Sequence, residues 1–347
     1  MEQEYIGIDL HKSFFQVCSI RTTGERIWEG RFPTTASGIG DFLRRCHAES
    51  SQVVVEASGP AWSFIDGITG GVHSAVVVDP RKTKLKAGYA AKTDRLDARR
   101  LADALRRDSV VTVYIPPKPI RDVRELCRYR CALVRMRVSL KQRIHALLVR
   151  QGVPLPNVSD LFGVRGQQWL AQAPVGGWAS KSLAGLCGLA EQIDAQLAPL
   201  HAIVEGTARE DPIARALDQI PGMGPVLALM IRAEIGAIER FTRPAQLACY
   251  AGLVPHVHKS GLFRHYGPIT KQGSPWLRWA LVEAAMHGVK RRDALGRWAR
   301  RLAMQKGGLK ARVAVARMLY YEIFRIWHSA ERLSAPVVDK YLATAHQ

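Results

Sequence analysis

Asp9 closes a short apolar run at residues 5–8, and Glu56 closes a β-branched run at residues 52–55. Asp94 and Asp97 stand three residues apart inside a helical pattern, which puts both on one helix face. Four carboxylates placed at strand and helix ends could converge at one edge of a sheet. Converging carboxylates repel unless cations neutralise them. Open oxygen sites suit Mg²⁺, and a pair of ions ~3.5–4 Å apart can clamp the attacking and leaving oxygens of phosphoryl transfer. Acids that merely decorate the surface at element ends are the plain alternative. A second chemistry would be nucleophilic. Ser260 stands between Lys259 and Gly261, with His258, Arg264 and His265 nearby. Cations there would stabilise a serine alkoxide and a pentavalent phosphate. A solvated basic loop explains the same residues, and composition alone does not choose a nucleophile among the serines. Ser274 precedes Pro275 and reads as a helix N-cap. His256 and His258 have no cysteine or acid beside them to complete a metal site, so they read as DNA contacts or solvated side chains.

The elements that would position these residues follow from periodicity. Residues 5–8, 14–20 and 26–32 form a three-stranded meander, and a helix follows at 35–46. A strand is expected at 52–55, a helix at 62–68, a strand at 74–78 and a helix at 91–107. The order βββαβαβα is that of a ribonuclease-H-like sheet. Leu126, Leu133, Leu140 and Leu147 then recur every seven residues, interrupted by Arg130 and Arg137. This favours a helical, coiled-coil-like hairpin. Its return helix is expected at 186–204, with Leu189, Ile193, Leu197 and Leu200 as the apolar face. Residues 152–182 are rich in Pro and Gly and read as an irregular insertion with a short helix near 167–171. The stretch Ile220-Pro-Gly-Met-Gly224 between helical patterns at 213–219 and 225–235 looks like a helix-hairpin-helix, whose glycines would let backbone N–H groups approach a phosphate. A helix follows at 241–252, a polar loop at 253–275, and a helix at 275–289. The rest is helical and basic, broken at Gly307-Gly308, with Leu319, Ile323, Ile326 and Trp327 on the apolar face of the final helix. The expected architecture is therefore α/β plus all-α, with domains at 1–115, 116–210 and 211–347.

At 347 residues the length alone argues for about two domains. Its formal charge is +20, which disfavours a small-molecule enzyme and points to a polyanion. The charge is segregated. Residues 81–150 hold 20 basic and 6 acidic side chains, and residues 240–347 hold 19 and 5. The two blocks suggest two contact zones for nucleic acid, with Arg291, Arg292, Arg297, Arg300, Arg301, Lys306 and Lys310 as phosphate contacts in the second. No run is long and apolar enough to span a membrane. The acidic first residues do not read as a signal peptide. The six cysteines form no Cys-x-x-Cys pair and read as reduced core residues of a cytoplasmic protein.

Three strings carry a family resemblance: Tyr5-Ile-Gly-Ile-Asp9-Leu-His-Lys, Val-Val-Val-Glu56-Ala-Ser-Gly, and Lys92-Thr-Asp94-Arg-Leu-Asp97-Ala-Arg. They resemble the Asp-Glu-Asp-Asp transposases of bacterial insertion sequences, relatives of the pilin-gene inversion recombinase, whose N-terminal domain is similar to the Holliday-junction resolvase RuvC. The resemblance implies a Mg²⁺ site made by Asp9, Glu56, Asp94 and Asp97. It covers roughly residues 5–115 and 213–330. In this family the loop after an Ala-Gly-Leu-x-Pro string, here Ala251-Gly-Leu-Val-Pro255, carries a serine before glycine that attacks DNA to give a phosphoserine intermediate. Carried over, that serine is Ser260. The family pattern further implies a homodimer or tetramer with composite active sites. It also implies a structured noncoding guide RNA that selects donor and target DNA, and action at the nucleoid. A RuvC-like junction nuclease, which needs the carboxylates but not Ser260, and a non-catalytic nucleic-acid-binding protein are the alternatives.

Overall fold

The structure, a computed structural model, describes residues 2–80, 82–83, 93–260 and 263–344, without the side chains of 257–260, 263–266, 289 and 333–344. The chain divides into two compact units, Met1–Ile115 and Pro116–Gln347.

The first unit is a six-stranded mixed sheet with helices on both faces. Its elements are β1 (Glu4–Leu10), β2 (Phe14–Arg21), β3 (Arg26–Pro33), α1 (Ala36–Leu43), β4 (Ser51–Glu56), α2 (Ala61–Ile68), β5 (Ser74–Val78), α3 (Asp94–Arg106) and β6 (Thr112–Val113). The spatial order is β3-β2-β1-β4-β5-β6. β1 runs antiparallel to β2 and parallel to β4. β6 pairs antiparallel with β5 and was not anticipated, because two residues show no period. Side-chain alternation assigns the faces. Ile6, Ile8 and Leu10 of β1 join Val53 and Val55 of β4 in a core shared with Phe42, Phe64, Ile65 and Ile68 of α1 and α2. The odd residues of β1 face α3. A Cβ on Gly7 would lie 2.0 Å from the Ala98 carbonyl oxygen, so only glycine lets α3 come this close to the sheet. The helix expected from residue 91 begins at Asp94, with the Thr93 hydroxyl accepting from the Leu96 N–H. Residues 91 and 92 lie outside the described residues.

The second unit begins with a helical hairpin, α4 (Lys118–Arg150) and α6 (Gly177–Glu210), with the short α5 (Val164–Ala171) between them. The buried residues of α6 are Leu183, Ala190, Leu197, Val204 and Ala208. The expected face is thus corrected. Leu197 belongs to it, but Leu189 is 51% exposed. A seam read every seven residues from Leu183 stays on one side of the helix, whereas the set 189, 193, 197, 200 drifts around it. Arg137 does not sit in the seam; it pairs with Asp194 at 2.9 Å. Residues 144–187 of the hairpin tip close a small core around Ile144, Leu148, Leu161, Leu170 and Leu183, which is what the Pro- and Gly-rich insertion builds.

The remaining helices are α7 (Pro212–Asp218), α8 (Gly224–Ile235), α9 (Pro244–Tyr250), α10 (Pro275–Ala284), α11 (Ala294–Lys306) and α12 (Gly308–Thr344), with a 3₁₀ segment at Ala285–Lys290 after α10. They share a core in which Leu319, Tyr320, Ile323 and Trp327 of α12 are buried against α7–α10. The polar stretch expected as a loop contains a β-hairpin, β7 (Pro255–Ser260) and β8 (Phe263–Ile269). Its alternation was hidden because polar and basic residues fill most positions. Gly222 has φ +92° and abuts the Ala284 carbonyl, where an added Cβ would lie 2.7 Å away, so packing as well as turn geometry requires it. Among the described residues no helix is long and apolar enough to cross a membrane. Cys18, Cys127 and Cys131 are buried, but Cys249 is exposed, so the cysteines are not all core residues.

Candidate functional site

β1 and β4 are parallel neighbours with Ile8 opposite Val55, so Asp9 and Glu56 leave the sheet at the same end. By alternation both fall on the face that α3 covers, since Gly7 meets Ala98 and Val54 packs on Leu101. Asp94 and Asp97 occupy the first turn of α3. The fold therefore directs all four carboxylate-bearing residues to one sheet end and face, but not equally closely. Among the described residues, the group whose potential ligand atoms all lie within 4.8 Å of one another is Asp9, His11 and Asp94. Glu56 and Asp97 stand outside it.

His11 Nε2 is 3.3 Å from Asp9 Oδ2 and 3.6 Å from Asp94 Oδ1. His11 also packs on Phe14, ring centroids 4.6 Å apart, and the Arg31 guanidinium lies over that Phe14 ring at 3.5 Å. Sequence reasoning treated His11 only as a turn residue. The signal was present, because residues two apart at a strand end share a face. Asp97 receives the Arg100 guanidinium at 3.1 Å. Burial raises the Asp9 carboxyl above the ordinary carboxylate range; His11 opposes this, and the charges of Asp94 and Asp97 add to the rise. Two carboxylates and an imidazole in one cluster, with one acid pushed toward its protonated form mainly by burial and further by like charges, fit a divalent cation. The carboxylates suit hard ions and the imidazole extends the range to transition metals.

The other candidate residues lie in the second unit. Ser260 is the last residue of β7. Its side chain and those of His258, Lys259, Arg264 and His265 lie outside the described residues, as does Gly261 altogether. Ser274 has a fully accounted hydroxyl: it accepts from the Leu277 N–H at 3.1 Å as the cap of α10 and donates to Glu234 Oε2 at 2.8 Å.

Residues 6–152 match a family model described as a transposase, of the Asp-Glu-Asp-Asp IS110 type. Residues 214–301 match one described as the transposase IS116/IS110/IS902 family. The chain belongs to the IS116/IS110/IS902 transposase family. Its relatives include the transposase for insertion sequence element IS1111A of Coxiella burnetii, 28% identical over 90% of this chain and 86% of the relative. They also include a probable family 20 transposase of Pseudomonas aeruginosa, 26% identical over 91% and 94%. The pilin gene-inverting protein of Moraxella bovis is 26% identical over 92% and 93%.

The transposase is thus a DNA-acting enzyme, and the first matched segment holds Asp9, Glu56, Asp94 and Asp97. A domain of the Asp-Glu-Asp-Asp type points to use of a divalent metal. The basic blocks of the transposase are only partly free for DNA. Arg291, expected as a phosphate contact, is corrected: its side chain is 8% exposed and pairs with Asp293 at 2.6 Å and Glu322 at 2.9 Å. Arg124 is buried on the Ala233 and Glu234 carbonyls at the end of α8, and Arg128 makes a two-pronged pair with the Glu234 carboxylate at 2.7 and 3.0 Å. These arginines hold the fold. Arg292, Arg297, Arg300, Arg301, Lys306 and Lys310 remain exposed.

Proposed function

We propose that this transposase cuts and rejoins DNA through a covalent phosphoserine on Ser260, with Mg²⁺ held by Asp9, Glu56, Asp94 and Asp97. The observation that carries the reading is the cluster at the end of β1, where Asp9 meets His11 and Asp94 and its carboxyl is raised by burial and like charge. When bound, the ion would supply charge neutralisation for the phosphate oxygens. Asp9 and Asp94 would hold it most directly, with Glu56 from the same sheet end and Asp97, steadied by Arg100, completing the set. The Ser260 hydroxyl attacks phosphorus. The bond from phosphorus to one deoxyribose oxygen breaks, the serine proton is released, and the departing sugar oxygen takes up a proton. A DNA hydroxyl then reverses the step on a new partner. The number of phosphoester bonds is conserved, so no ATP is consumed. The active assembly is a dimer or tetramer in the bacterial cytoplasm, and a structured noncoding RNA selects donor and target. The two basic blocks support two nucleic-acid zones.

The test uses the full chain with end-labelled DNA from its own element and denaturing gels. Mg²⁺-dependent transfer of label to protein, lost in Ser260→Ala and in Asp9→Asn, is expected. Cleavage that persists in Ser260→Ala makes the protein a junction nuclease. Cleavage that persists in Asp9→Asn removes the carboxylate site. The RNA is tested separately, by sequencing what co-purifies from cells carrying the flanking DNA; a single discrete species encoded beside the gene is expected, and only heterogeneous nucleic acid overturns the guide.

A further inference from the structure

Helices α9, α11 and α12 enclose a cavity of about 300 Å³ that the strand chemistry does not use. Its walls are mainly apolar and aromatic and include Cys249, Trp298, Tyr320 and Tyr321, with Arg317 beside them. Val254, one residue before β7, also lines it. Tyr320 is 1% exposed, yet its hydroxyl has no hydrogen-bond partner among the described residues. Burial holds this phenol well above its ordinary pKa, with the Arg278 and Arg317 charges opposing the rise, and Tyr320 itself lines the cavity beside Arg317 and Cys249. A buried hydroxyl without a partner is disfavoured, and a ligand that offers one recovers the loss.

The rim is cationic. Helical spacing sets Arg301 one turn from Trp298, and puts Lys310 and Arg317 on the α12 row that carries Ala314 and Tyr321. All three cations are exposed. An apolar helix would leave the hydroxyl unpaired, and a free anion would not use the aromatic walls. A nucleobase uses both, and its flanking phosphates use the rim.

We propose that this cavity receives one unstacked base of single-stranded DNA, packed against Trp298 and Tyr321, with its polar edge on the Tyr320 hydroxyl and its phosphates on Arg301, Lys310 and Arg317. From Val254 to Ser260 the strand extends about 20 Å at ~3.3 Å per residue. A base held here would therefore set the register of the strand attacked at Ser260. That last consequence rests on the serine reading; the binding does not.

The experiment measures binding by the full chain in EDTA, where no strand chemistry interferes. The probes are an oligothymidylate and a strand of equal length made of abasic sites, which keeps the phosphates and removes the bases. Wild type is expected to prefer the thymidylate. Tyr321→Ala, at a residue 55% exposed and so safe for folding, weakens thymidylate binding about tenfold, the loss of roughly one stacked base, and leaves abasic binding unchanged. Tyr320→Phe also weakens thymidylate binding while raising Tm without DNA, because it deletes the unpaired hydroxyl. Variants that bind both strands like wild type, or that lose both equally, overturn the base pocket. Preference for oligouridylate over thymidylate overturns DNA as the source. Loss of self-association in Tyr321→Ala, with DNA binding intact, overturns it in favour of a contact between copies.

Discussion

Glu4 and Asp9 stand on the same strand, in opposite surroundings. Glu4 is 5% exposed. It accepts from the Ser51 hydroxyl at 2.7 Å and the Trp28 indole N–H at 2.9 Å, and also from Ser19. Donors from three other strands therefore converge on one carboxylate and tie the sheet together. Asp9 falls on the other face, beside His11 and within reach of the charges of Asp94 and Asp97. The first carboxylate is satisfied by the protein itself. The second is left with like charges that a cation would neutralise. The difference lies in what surrounds each acid: neutral hydrogen-bond donors around Glu4, and an imidazole with two further carboxylates around Asp9.

The largest effect should come from Asp9. Asp9→Asn should lower the strand-transfer rate by about 10³-fold or more, the loss of roughly 4 kcal/mol of charge stabilisation. It should leave Tm unchanged or higher, because burial already disfavours the ionised form; a large fall in Tm would make Asp9 a structural residue like Glu4. Next comes the third acid, Glu234, which is 1% exposed and paired with Arg128. Glu234→Ala leaves Arg128 without its carboxylate and should cost about 3–5 kcal/mol in urea unfolding. Glu4→Gln should cost about 1–3 kcal/mol, because its amide presents a donor to one of the three donors, with metal affinity measured by calorimetry unchanged. Ser274→Ala removes a cap and should cost about 1–2 kcal/mol with strand exchange retained, whereas Ser260→Ala should abolish exchange at unchanged Tm.

A separate effect is a pH dependence at Glu331 on α12. Burial pushes its carboxyl up to about 7, with the neighbouring Glu239 adding to the rise and the Trp327 indole hydrogen bond opposing it. The folded state therefore holds its proton more tightly than the unfolded chain. The stability it contributes is complete below about 4.5, the ordinary value, and is lost as pH rises through about 7. Glu331→Gln should flatten the Tm profile between those limits, and an unchanged profile would assign the slope to other groups.

Much of the first unit was legible because its signals are local. Alternation along residues 4–10 separates Ile6 and Ile8 from Gly7 and Asp9, and the strand ends place Asp9 and Glu56 at one edge. Ser274 was readable as a cap because capping needs only three residues, whereas the Thr93 cap was missed and its helix expected from residue 91. β6 was missed because two residues have no period, and the β7–β8 hairpin because its polar residues mask the alternation. The α6 face was misjudged because several apolar rows run along a helix and only the partner helix chooses one.

By itself the sequence determined the order of elements from β1 to α3, the placement of the acids at strand and helix ends, and the family strings around them. Only the tertiary structure decided which of those acids meet, that His11 joins them, that Arg291, Arg124 and Arg128 are engaged in the fold, and that the Tyr320 hydroxyl is left unpaired. Arg128 and Glu234 are 106 residues apart in the chain and 2.7 Å apart in space. Periodicity and capping act over a few residues and so are written locally. Charge pairing and desolvation depend on distances through space, and those exist only once the chain has folded.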